Sequence, residues 1–420
     1  EGFARLENLP NGEIEFVISF VGFEEKEITL SFPDDNNKTI EVELEEGEEL
    51  EEVVEHACPG PGACGMMGTA NTMNILAETI GMSFPGNSTT AAISPKLKQI
   101  AYDAGVQVMK LWEQEITARD IITNESITNA IKVCMAVGGS SNTIAHIPAI
   151  ATEAELSIEC SPVYAQASNE IPLLVGVRPN MPMHNMTQFD NAGGLGAVLN
   201  ELKNKLDLDT MSVTGKTLGE NMSLNPDMYK IKDYKVIHPI SDPIGDGGGL
   251  VLCKGNLVPE GAFIKRSAVP KSMIKFNGPA KVFNDSHIAI KALNNEEISE
   301  GDVVIIRYHG VKAGPNTAYA FASALKGSHL KDKVAVITDG RMSGAAAGAC
   351  FQYASPEAAL RGPLCAVKDG DIISFDIDKC ELNIELSDEE LKERIESAEI
   401  ILYPKKGYLG IYQKCVGSIL

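Results

Sequence analysis

The second half of the chain contains the stretch Val334-Ala335-Val336-Ile337-Thr338-Asp339-Gly340-Arg341-Met342-Ser343-Gly344. Its apolar part, residues 334–337, has the length and the β-branched content of a short buried strand. The glycine-rich part that follows places an aspartate, an arginine and a serine in one turn. This stretch therefore predicts a strand that ends in a candidate functional loop.

Similar short apolar runs occur on both sides of this stretch. After Pro239, short apolar runs rich in β-branched residues alternate with glycine and proline turns, as in a β-sandwich or β-barrel. The other runs are 303–308, 372–376 and 382–386. A late helix is expected from Ser387, where Ser387 and Glu390 have the spacing of a capping box.

Residues 69 to about 232 show helical periodicity instead. Met73, Leu76 and Ile80 recur at helical spacing, and Gly81 is expected to end that helix. Residues 95–115 form another amphipathic pattern, in which the only tryptophan, Trp112, is expected to pack against the core. Further helices are predicted at 126–137, 141–155 and 193–206.

The first fifty residues alternate apolar and polar side chains with a period of two. The pattern predicts a short, acidic β-meander of three strands, at 14–20, 28–32 and 40–44. The chain of 420 residues is long for one hydrophobic core. We therefore expect three parts: a β-rich acidic segment at 1–50, a helix-containing domain at 51–235 and a C-terminal β-domain at 236–420.

The composition excludes several classes of protein. The net charge of −22 disfavours nucleic acid and anionic membrane surfaces as partners, and no apolar run reaches the roughly 20 residues of a membrane helix. The first residues lack an initiator methionine and the basic-then-apolar pattern of a signal peptide. Nine cysteines, an odd number, are typical of free thiols in a reducing compartment. We expect a cytoplasmic location.

Two local patterns have both a structural and a chemical interpretation. Cys58 and Cys64 lie in a Pro- and Gly-rich loop before a predicted helix, whose positive end stabilises a thiolate and favours metal ligation. Their spacing is not that of a zinc or ferredoxin site, so the local pattern alone favours buried structural cysteines. Ser140 belongs to Gly138-Gly139-Ser140-Ser141-Asn142, which precedes a helix and fits either an anion site or a helix cap. His146, on that helix, is expected to pack.

Four segments together resemble one enzyme family. They are residues 57–65 (Ala-Cys-Pro-Gly-Pro-Gly-Ala-Cys-Gly), 69–73 (Thr-Ala-Asn-Thr-Met), 138–142 and 338–344. In combination, they resemble the dihydroxy-acid dehydratase and 6-phosphogluconate dehydratase family, from about residue 50 to residue 376. The resemblance implies an α/β N-terminal domain, a C-terminal β-barrel domain of the swivelling β/β/α type, and a homodimer.

The same resemblance implies a chemistry and residues for it. The family removes water from a hydroxy-acid substrate, a 2,3-dihydroxy acid or sugar acid, and forms a 2-keto acid with a [2Fe–2S] cluster and Mg²⁺. By resemblance, Ser343 is the proton acceptor, Cys64 a cluster ligand and Cys58 a weaker candidate. Arg341 and Asp339 fit two interpretations equally: they orient a substrate carboxylate and the loop, respectively, through charge-assisted hydrogen bonds, or they pair with each other to hold the turn. Ser140 is a candidate substrate contact.

Three features depart from the family pattern and keep a second hypothesis open. The chain has no Cys-Asp-Lys triplet and no cysteine before Cys58, although the family uses such residues for its cluster and Mg²⁺. The Mg²⁺-binding glutamate expected after Gly314-Pro315 is replaced by Asn316-Thr317-Ala318. The alternative function is therefore a non-catalytic relative that acts as a binding or regulatory protein.

Overall fold

The computed structural model of the chain describes residues 12–18, 26–32, 61–181, 183–314, 316–344, 346, 348–402 and 406–417. The chain divides into two compact units, residues 1–59 and residues 60–420. Cys58 and the third predicted strand of the meander, at 40–44, lie outside the described residues.

The described part of the first unit is a β-hairpin. Strand β1, Gly12–Ile18, pairs with strand β2, Lys26–Phe32, in antiparallel register, and Gly12 lies opposite Phe32. Both strands coincide closely with the runs that alternate with a period of two. The first two strands of the predicted meander are thus confirmed.

The first part of the second unit is helical. Its helices are α1 Thr69–Ile80, α2 Pro95–Glu113, α3 Ala118–Ile121, α4 Asn124–Val137, α5 Thr143–Glu153, α6 Cys160–Glu170, α7 Met186–Asn191, α8 Gly194–Glu201 and α9 Leu218–Leu224, followed by the 3-10 helix Pro226–Tyr229. Helix α1 ends as predicted, because Gly81 adopts a left-handed conformation there (φ 98°). The described residues 61–250 otherwise contain only isolated β-bridges, such as Val175 with Ile237.

Helix α4 forms the centre of the helical core. Ten of its 14 residues are buried, so that it is covered on most of its circumference. Thr123 caps its first turn by accepting a hydrogen bond from Ser126 N. Helices α1, α6 and α8 pack around it. Gly138, at the C-terminus of α4, is left-handed (φ 59°), which returns the chain sharply toward the barrel.

Residues 251–384 contain a closed eight-stranded barrel, in the order β10-β3-β4-β8-β7-β6-β5-β9. The strands are β3 Val251–Gly255, β4 Val258–Ile264, β5 Lys275–Phe283, β6 Val303–Ile306, β7 Ala335–Thr338, β8 Cys350–Ser355, β9 Ile372–Asp376 and β10 Glu381–Ile384. The four runs assigned to strands from sequence are β6, β7, β9 and β10. The barrel prediction is confirmed.

Strands β5, β6, β7 and β8 are mutually parallel. Helices α10, Ser286–Asn294, and α11, Tyr319–Lys326, make the connections from β5 to β6 and from β6 to β7. Along β6, Val303 and Ile305 point into the barrel core, whereas Val304 and Ile306 pack against the helix layer outside. Parallel pairing brings the carboxyl ends of these strands to one edge.

The chain ends with two more helices and carries four further 3-10 turns. Helix α12, Asp388–Ser397, begins at Ser387, whose side chain accepts a hydrogen bond from Glu390 N at 3.2 Å, as predicted for its cap. Helix α13 is Gly407–Cys415. The 3-10 turns are Arg266–Ala268, Lys271–Met273, Ala358–Leu360 and Pro363–Ala366.

The helical region and the barrel share part of one core. The Tyr164 ring of α6 packs edge-on against Phe263 of β4, with 5.8 Å between centroids. Gly248 N also donates to Ser168 O at 2.8 Å. Residues 60–420 accordingly form one compact unit, and the domain limits at 50/51 and 235/236 stay predictions.

Helix α2 corrects one expectation. None of its residues is buried, and the side chain of Trp112 is 74% exposed. The expectation that Trp112 packs against the core is therefore wrong. Periodicity identified an amphipathic helix, but it did not show whether the chain itself covers the apolar face.

Within the described ranges, the structure contains no helix with both the length and the apolar character required to cross a membrane.

Candidate active site

A cavity of about 210 Å³ opens at the carboxyl edge of β6, β7 and β8. Residues that follow these parallel strands line it, because adjacent parallel strands end at the same edge of a sheet. The lining includes His309 and Gly310 after β6, Asp339 and Arg341 after β7, and Tyr353 with Glu357 at the end of β8. The loop identified from sequence therefore lies on the wall of a pocket.

Asp339 holds this pocket edge together. It is buried (3% exposed), and its carboxylate accepts hydrogen bonds from the backbone N–H groups of Tyr308 (3.0 Å), His309 (2.9 Å) and Ala358 (3.0 Å). Burial raises the pKa of Asp339, and these N–H donors oppose the rise. Asp339 thus ties the loops after β6 and β8 to its own loop, the orienting role expected from sequence.

The rest of the loop is fixed at nearly every residue. Gly340 O accepts from Tyr353 N at 3.0 Å, and Arg341 O accepts from Ala318 N at 3.1 Å. Met342 N donates to the Gln352 side chain at 2.8 Å. Ser343, half-buried, therefore lies in a loop whose backbone is preorganised, as a positioned catalytic group requires.

The Arg341 side chain is exposed at the mouth of the pocket. Within the described ranges it has no ion pair or hydrogen bond to its guanidinium group. Its positive charge is consequently available to a ligand, and a guanidinium group binds a carboxylate through two parallel hydrogen bonds.

A buried lysine joins the Ser343 loop to the Cys64 loop. Lys265, directly after β4, donates from Nζ to Gly344 O at 3.3 Å and to Met67 O at 3.4 Å. Burial lowers its pKa to about 7, and the nearby Cys134 thiol acts in the opposite direction. The two loops predicted to cooperate thus lie side by side, although sequence reasoning missed the lysine between them.

Cys64 is an exposed, free thiol just before helix α1. Asn71, in the first turn of α1, donates to Cys64 O at 2.5 Å and to Met66 O at 2.8 Å, so the loop backbone is fixed. Gly65 O also accepts from Met186 N at 3.0 Å. The helix N-terminus and the fixed loop match the setting predicted for a ligand thiolate.

The residues around Cys64 do not by themselves fit a metal group. Across the described ranges, no three Cys, His, Asp or Glu side chains lie close enough together to hold a metal ion. A [2Fe–2S] cluster needs several cysteine ligands, and Cys58 lies outside the described residues. No step of the reaction is therefore derived through a cluster or Mg²⁺.

Ser140 is fully buried behind the loop and does not line the pocket. Its Oγ lies 2.9 Å from Thr69 Oγ1 and accepts from Asn142 N at 3.2 Å. A Cβ atom on Gly344 would lie only 2.5 Å from this hydroxyl, so only glycine allows the loop to approach so closely. Asn142, not Ser140, is the N-cap residue of helix α5, and among the described residues no side-chain hydrogen bond caps this helix.

Other residues near Ser140 reach the pocket. Asn142 accepts from Tyr353 OH at 2.6 Å, which links the start of helix α5 to the wall of the pocket. His146, expected to pack, is exposed instead. Two glycine motifs also meet nearby, since a Cβ on Gly249 would come within 2.4 Å of Gly138 Cα.

The sequence analysis did not single out Glu357, His309 or Tyr353, which all line the pocket. Burial lowers the pKa of His309 and raises the pKa of Tyr353 to about 12. Each of these residues follows or ends an apolar run, after which the sequence becomes polar. This sequence pattern indicates a site only when the strands are known to be neighbours.

Both halves of the chain match models of one protein family. Residues 23–221 match the family model described as dihydroxy-acid/6-phosphogluconate dehydratase N-terminal, and residues 235–419 match the corresponding C-terminal model. These matches extend beyond the range of about 50–376 expected from motifs, so that estimate was too short at both ends.

Several curated proteins are similar over most of the chain. A protein named dihydroxy-acid dehydratase from Caldicellulosiruptor saccharolyticus is 46% identical over 380 residues, which is 88% of this chain and 67% of that protein. Proteins of the same name from Acetivibrio thermocellus and Halothermothrix orenii are 43% and 42% identical, with the same coverage.

Proposed function

Since the chain belongs to the dihydroxy-acid/6-phosphogluconate dehydratase family, we propose that it removes water from a 2,3-dihydroxy acid in the pocket at the carboxyl edge of β6–β8. The sequence-based prediction of a hydro-lyase of this family is confirmed by the relatives that carry this name. The alternative, a non-catalytic binding or regulatory protein, finds no support among them.

In the proposed reaction, the deprotonated hydroxyl group of Ser343 takes the proton from C2 of the substrate, and the C3 hydroxyl group leaves as hydroxide, which takes up that proton from Ser343 and becomes water. The resulting enol then isomerises to a 2-keto acid, so that the net change is the loss of one water molecule. Arg341 binds the substrate carboxylate, and Asp339 keeps the loop in position. Ser140 acts from behind the loop through its contact with Gly344.

One observation carries this proposal. The loop that carries both residues is anchored by hydrogen bonds on both sides of Ser343. Arg341 lines the cavity with no ion pair or hydrogen bond to its guanidinium group among the described residues, whereas Ser343 is not among the residues that line it. A serine on a fixed loop two residues from a cation suits a substrate whose carboxylate is attached to the carbon that loses the proton. Several dihydroxy and sugar acids meet this description, and pocket shape selects among them.

Substitution of Ser343 by alanine tests the proposal. Ser343→Ala should lower turnover of 2,3-dihydroxyisovalerate, or of the sugar acid that a substrate panel identifies, by at least about 100-fold, because the proton acceptor is lost. Keto-acid formation is the measurement. Ser328→Ala, at the end of helix α11, is the control and should retain the wild-type rate. An unchanged rate in Ser343→Ala would remove this residue from the mechanism.

The proposed cofactors are those of the family, a [2Fe–2S] cluster and Mg²⁺, with Cys64 as one cluster ligand and Cys58 as a further candidate. Iron and acid-labile sulfide content after anaerobic purification is the test. Iron-free protein that still forms keto acid would contradict the cluster proposal.

We further propose a homodimer in the cytoplasm with a small hydroxy acid as the ligand. The exposed apolar side chains of helix α2 support association. The eight described cysteines are all free, as in a reducing compartment. The domain limits at 50/51 and 235/236, the α/β type of the first domain and the swivelling type of the barrel are proposed on the same family basis.

A further inference from the structure

The pocket wall contains a carboxyl group that the proposed reaction does not use. Glu357 follows strand β8, is 5% exposed and lines the same cavity as Arg341. Its Oε1 accepts the backbone N–H of Lys312 at 2.7 Å. Its Oε2 is buried without a hydrogen-bond partner among the described residues.

A buried polar atom without a partner is costly, by about 1–3 kcal/mol. Such atoms are rare in folded proteins, and those that line a cavity are candidates for contact with a ligand. Glu357 Oε2, His309 Nδ1 and the Arg341 guanidinium group are thus three polar groups of one pocket that have no hydrogen-bond partner among the described residues.

The charge state of Glu357 follows from its surroundings. Burial raises its pKa to about 7 and the negative charge of Asp339 adds to the rise, whereas the backbone N–H groups of Lys312 and Ala313 and the Lys312 ammonium oppose it. Near neutral pH the carboxyl group is therefore protonated in about half of the molecules. Asp339 and Lys312 act on this carboxyl group electrostatically, and the other titratable or charged residues that line the same cavity are Arg341, His309, Tyr353 and Tyr412.

Two of these groups are neutral around neutral pH. Burial lowers the pKa of His309, and it raises the pKa of Tyr353 to about 12. Burial also raises the pKa of Asp339, and its three backbone donors oppose that rise. Ionisation of Glu357 is accordingly the change that makes the pocket less favourable for an anion.

We propose that Glu357 is a ligand-contacting residue, in which Oε2 of the protonated carboxyl group donates a hydrogen bond to a hydroxyl oxygen of a hydroxy acid whose carboxylate binds Arg341. This inference rests on the proposed function, because it takes the ligand to be a hydroxy acid. It assigns recognition of the ligand hydroxyl group to Glu357 and makes anion binding depend on its proton.

The pH dependence of binding has a definite sign. An ionised Glu357 loses its donor and repels the ligand carboxylate, so affinity should fall as pH rises through about 7. If only the protonated form binds, the dissociation constant rises by up to about tenfold per pH unit above that value.

Calorimetric titration with 2-hydroxyisovalerate tests the inference. This probe keeps the carboxylate and one hydroxyl group but has no C3 hydroxyl group to lose, so binding is measured without turnover. Isovalerate, without a hydroxyl group, is the companion probe. The variant Glu357→Gln keeps the acceptor for Lys312 N and an uncharged donor, and it should bind 2-hydroxyisovalerate with an affinity that does not change between pH 6 and 8.5.

The matched control is Glu300→Gln, an exposed glutamate paired with Lys333 outside the pocket, which should keep the wild-type pH dependence. A Glu357→Gln variant with wild-type pH dependence would overturn the inference, as would a Glu357→Ala variant that still prefers 2-hydroxyisovalerate to isovalerate as strongly as the wild type. Circular dichroism verifies that each variant is folded.

Different results would contradict the proposed dehydration and the proposed role of Glu357. If no dihydroxy acid yields a keto acid but 2-hydroxyisovalerate binds with the Glu357-dependent pH profile, the proposed reaction is wrong and the role of Glu357 is supported. If keto acid forms and the Glu357→Gln variant keeps the wild-type pH profile of binding, the inference about Glu357 alone is overturned.

Discussion

The pocket edge of the barrel exposes a charged side chain on a fixed loop, whereas helix α2 exposes apolar side chains. At the pocket, the backbone around Arg341 is held by Asp339, Gln352 and Lys265, and the exposed guanidinium group extends from a fixed loop. Along α2, apolar side chains are exposed without any buried residue on the helix. They are Tyr102, Val106, Val108, Met109 and Trp112.

The difference separates two reasons for exposure. A charged group on a preorganised loop is ready for a small polar ligand and needs no further cover. An apolar helix face in water is unfavourable by roughly 25 cal/mol per Å² of apolar surface, and contact with a second protein surface would remove that cost. The pocket edge is therefore held by contacts within the chain, whereas the exposed α2 face supports the proposed homodimer.

The largest effect is expected where the pocket loop is held. Asp339→Asn replaces one acceptor oxygen with an NH₂ group that faces a backbone donor, so it should lower the free energy of unfolding by about 3 kcal/mol and abolish turnover. Urea denaturation and keto-acid assays measure both. The control Asp302→Asn affects a buried aspartate that accepts Ser299 N away from the pocket, and it should leave kcat/KM unchanged. Wild-type stability in Asp339→Asn would mean that the loop is held by other contacts.

The next effect concerns the lysine behind the loop. The folded-state pKa of Lys265 is lowered from 10.5 to about 7, so the unfolded chain binds more protons between these values and wild-type stability should increase with pH in this window. The expected contribution is up to about 1.4 kcal/mol per pH unit. Lys265→Met should lack this increase.

Urea denaturation at pH 7, 8 and 9 measures this dependence. Lys254→Met, an exposed lysine on strand β3, is the control and should retain the increase. The same pH dependence in Lys265→Met as in the wild type would show that Lys265 is not the group responsible. The pocket would then be held without a titrating cation behind it.

The smallest effect on folding is expected on helix α2. Trp112→Glu should change the free energy of unfolding by no more than about 0.5 kcal/mol, because the side chain is exposed, but it should weaken self-association. Light scattering across a concentration series measures the latter. Gln99→Glu, an exposed position of the same helix, makes the same change in charge and should leave association unchanged. A dimer that persists in Trp112→Glu would assign the interface to another surface.

Much of the fold was predictable from local patterns. Strands β6, β7, β9 and β10 came from short apolar runs, and helix α1 came from three apolar positions and Gly81. The functional loop was found because Asp339, Arg341 and Ser343 are adjacent in sequence. Asp339 accepts three backbone N–H donors, as a carboxylate in a glycine-rich turn commonly does, and its role in the reaction stays a prediction.

Other features depended on distant contacts and were missed or wrongly assigned. Glu357 and Arg341 line one cavity only because β8 pairs with β7, and Lys265 reaches Gly344 across 79 positions of sequence. Trp112 was expected to pack because periodicity defines an apolar face without defining its cover. Ser140, expected to contact substrate, is buried and does not line the cavity, and its hydroxyl accepts a hydrogen bond from Asn142 N; its contact with substrate stays a prediction.

The amino-acid sequence alone determined the order of helices and strands, the left-handed turns at Gly81 and Gly138, and the chemical groups of the 338–344 loop. These depend on side chains within a few residues of one another, and local sterics and periodicity decide them. Only the tertiary structure decided that both carboxylate oxygens of Asp339 accept hydrogen bonds, whereas one oxygen of Glu357 has no partner among the described residues. Barrel closure sets that difference, because it selects the backbone donors that each buried oxygen meets.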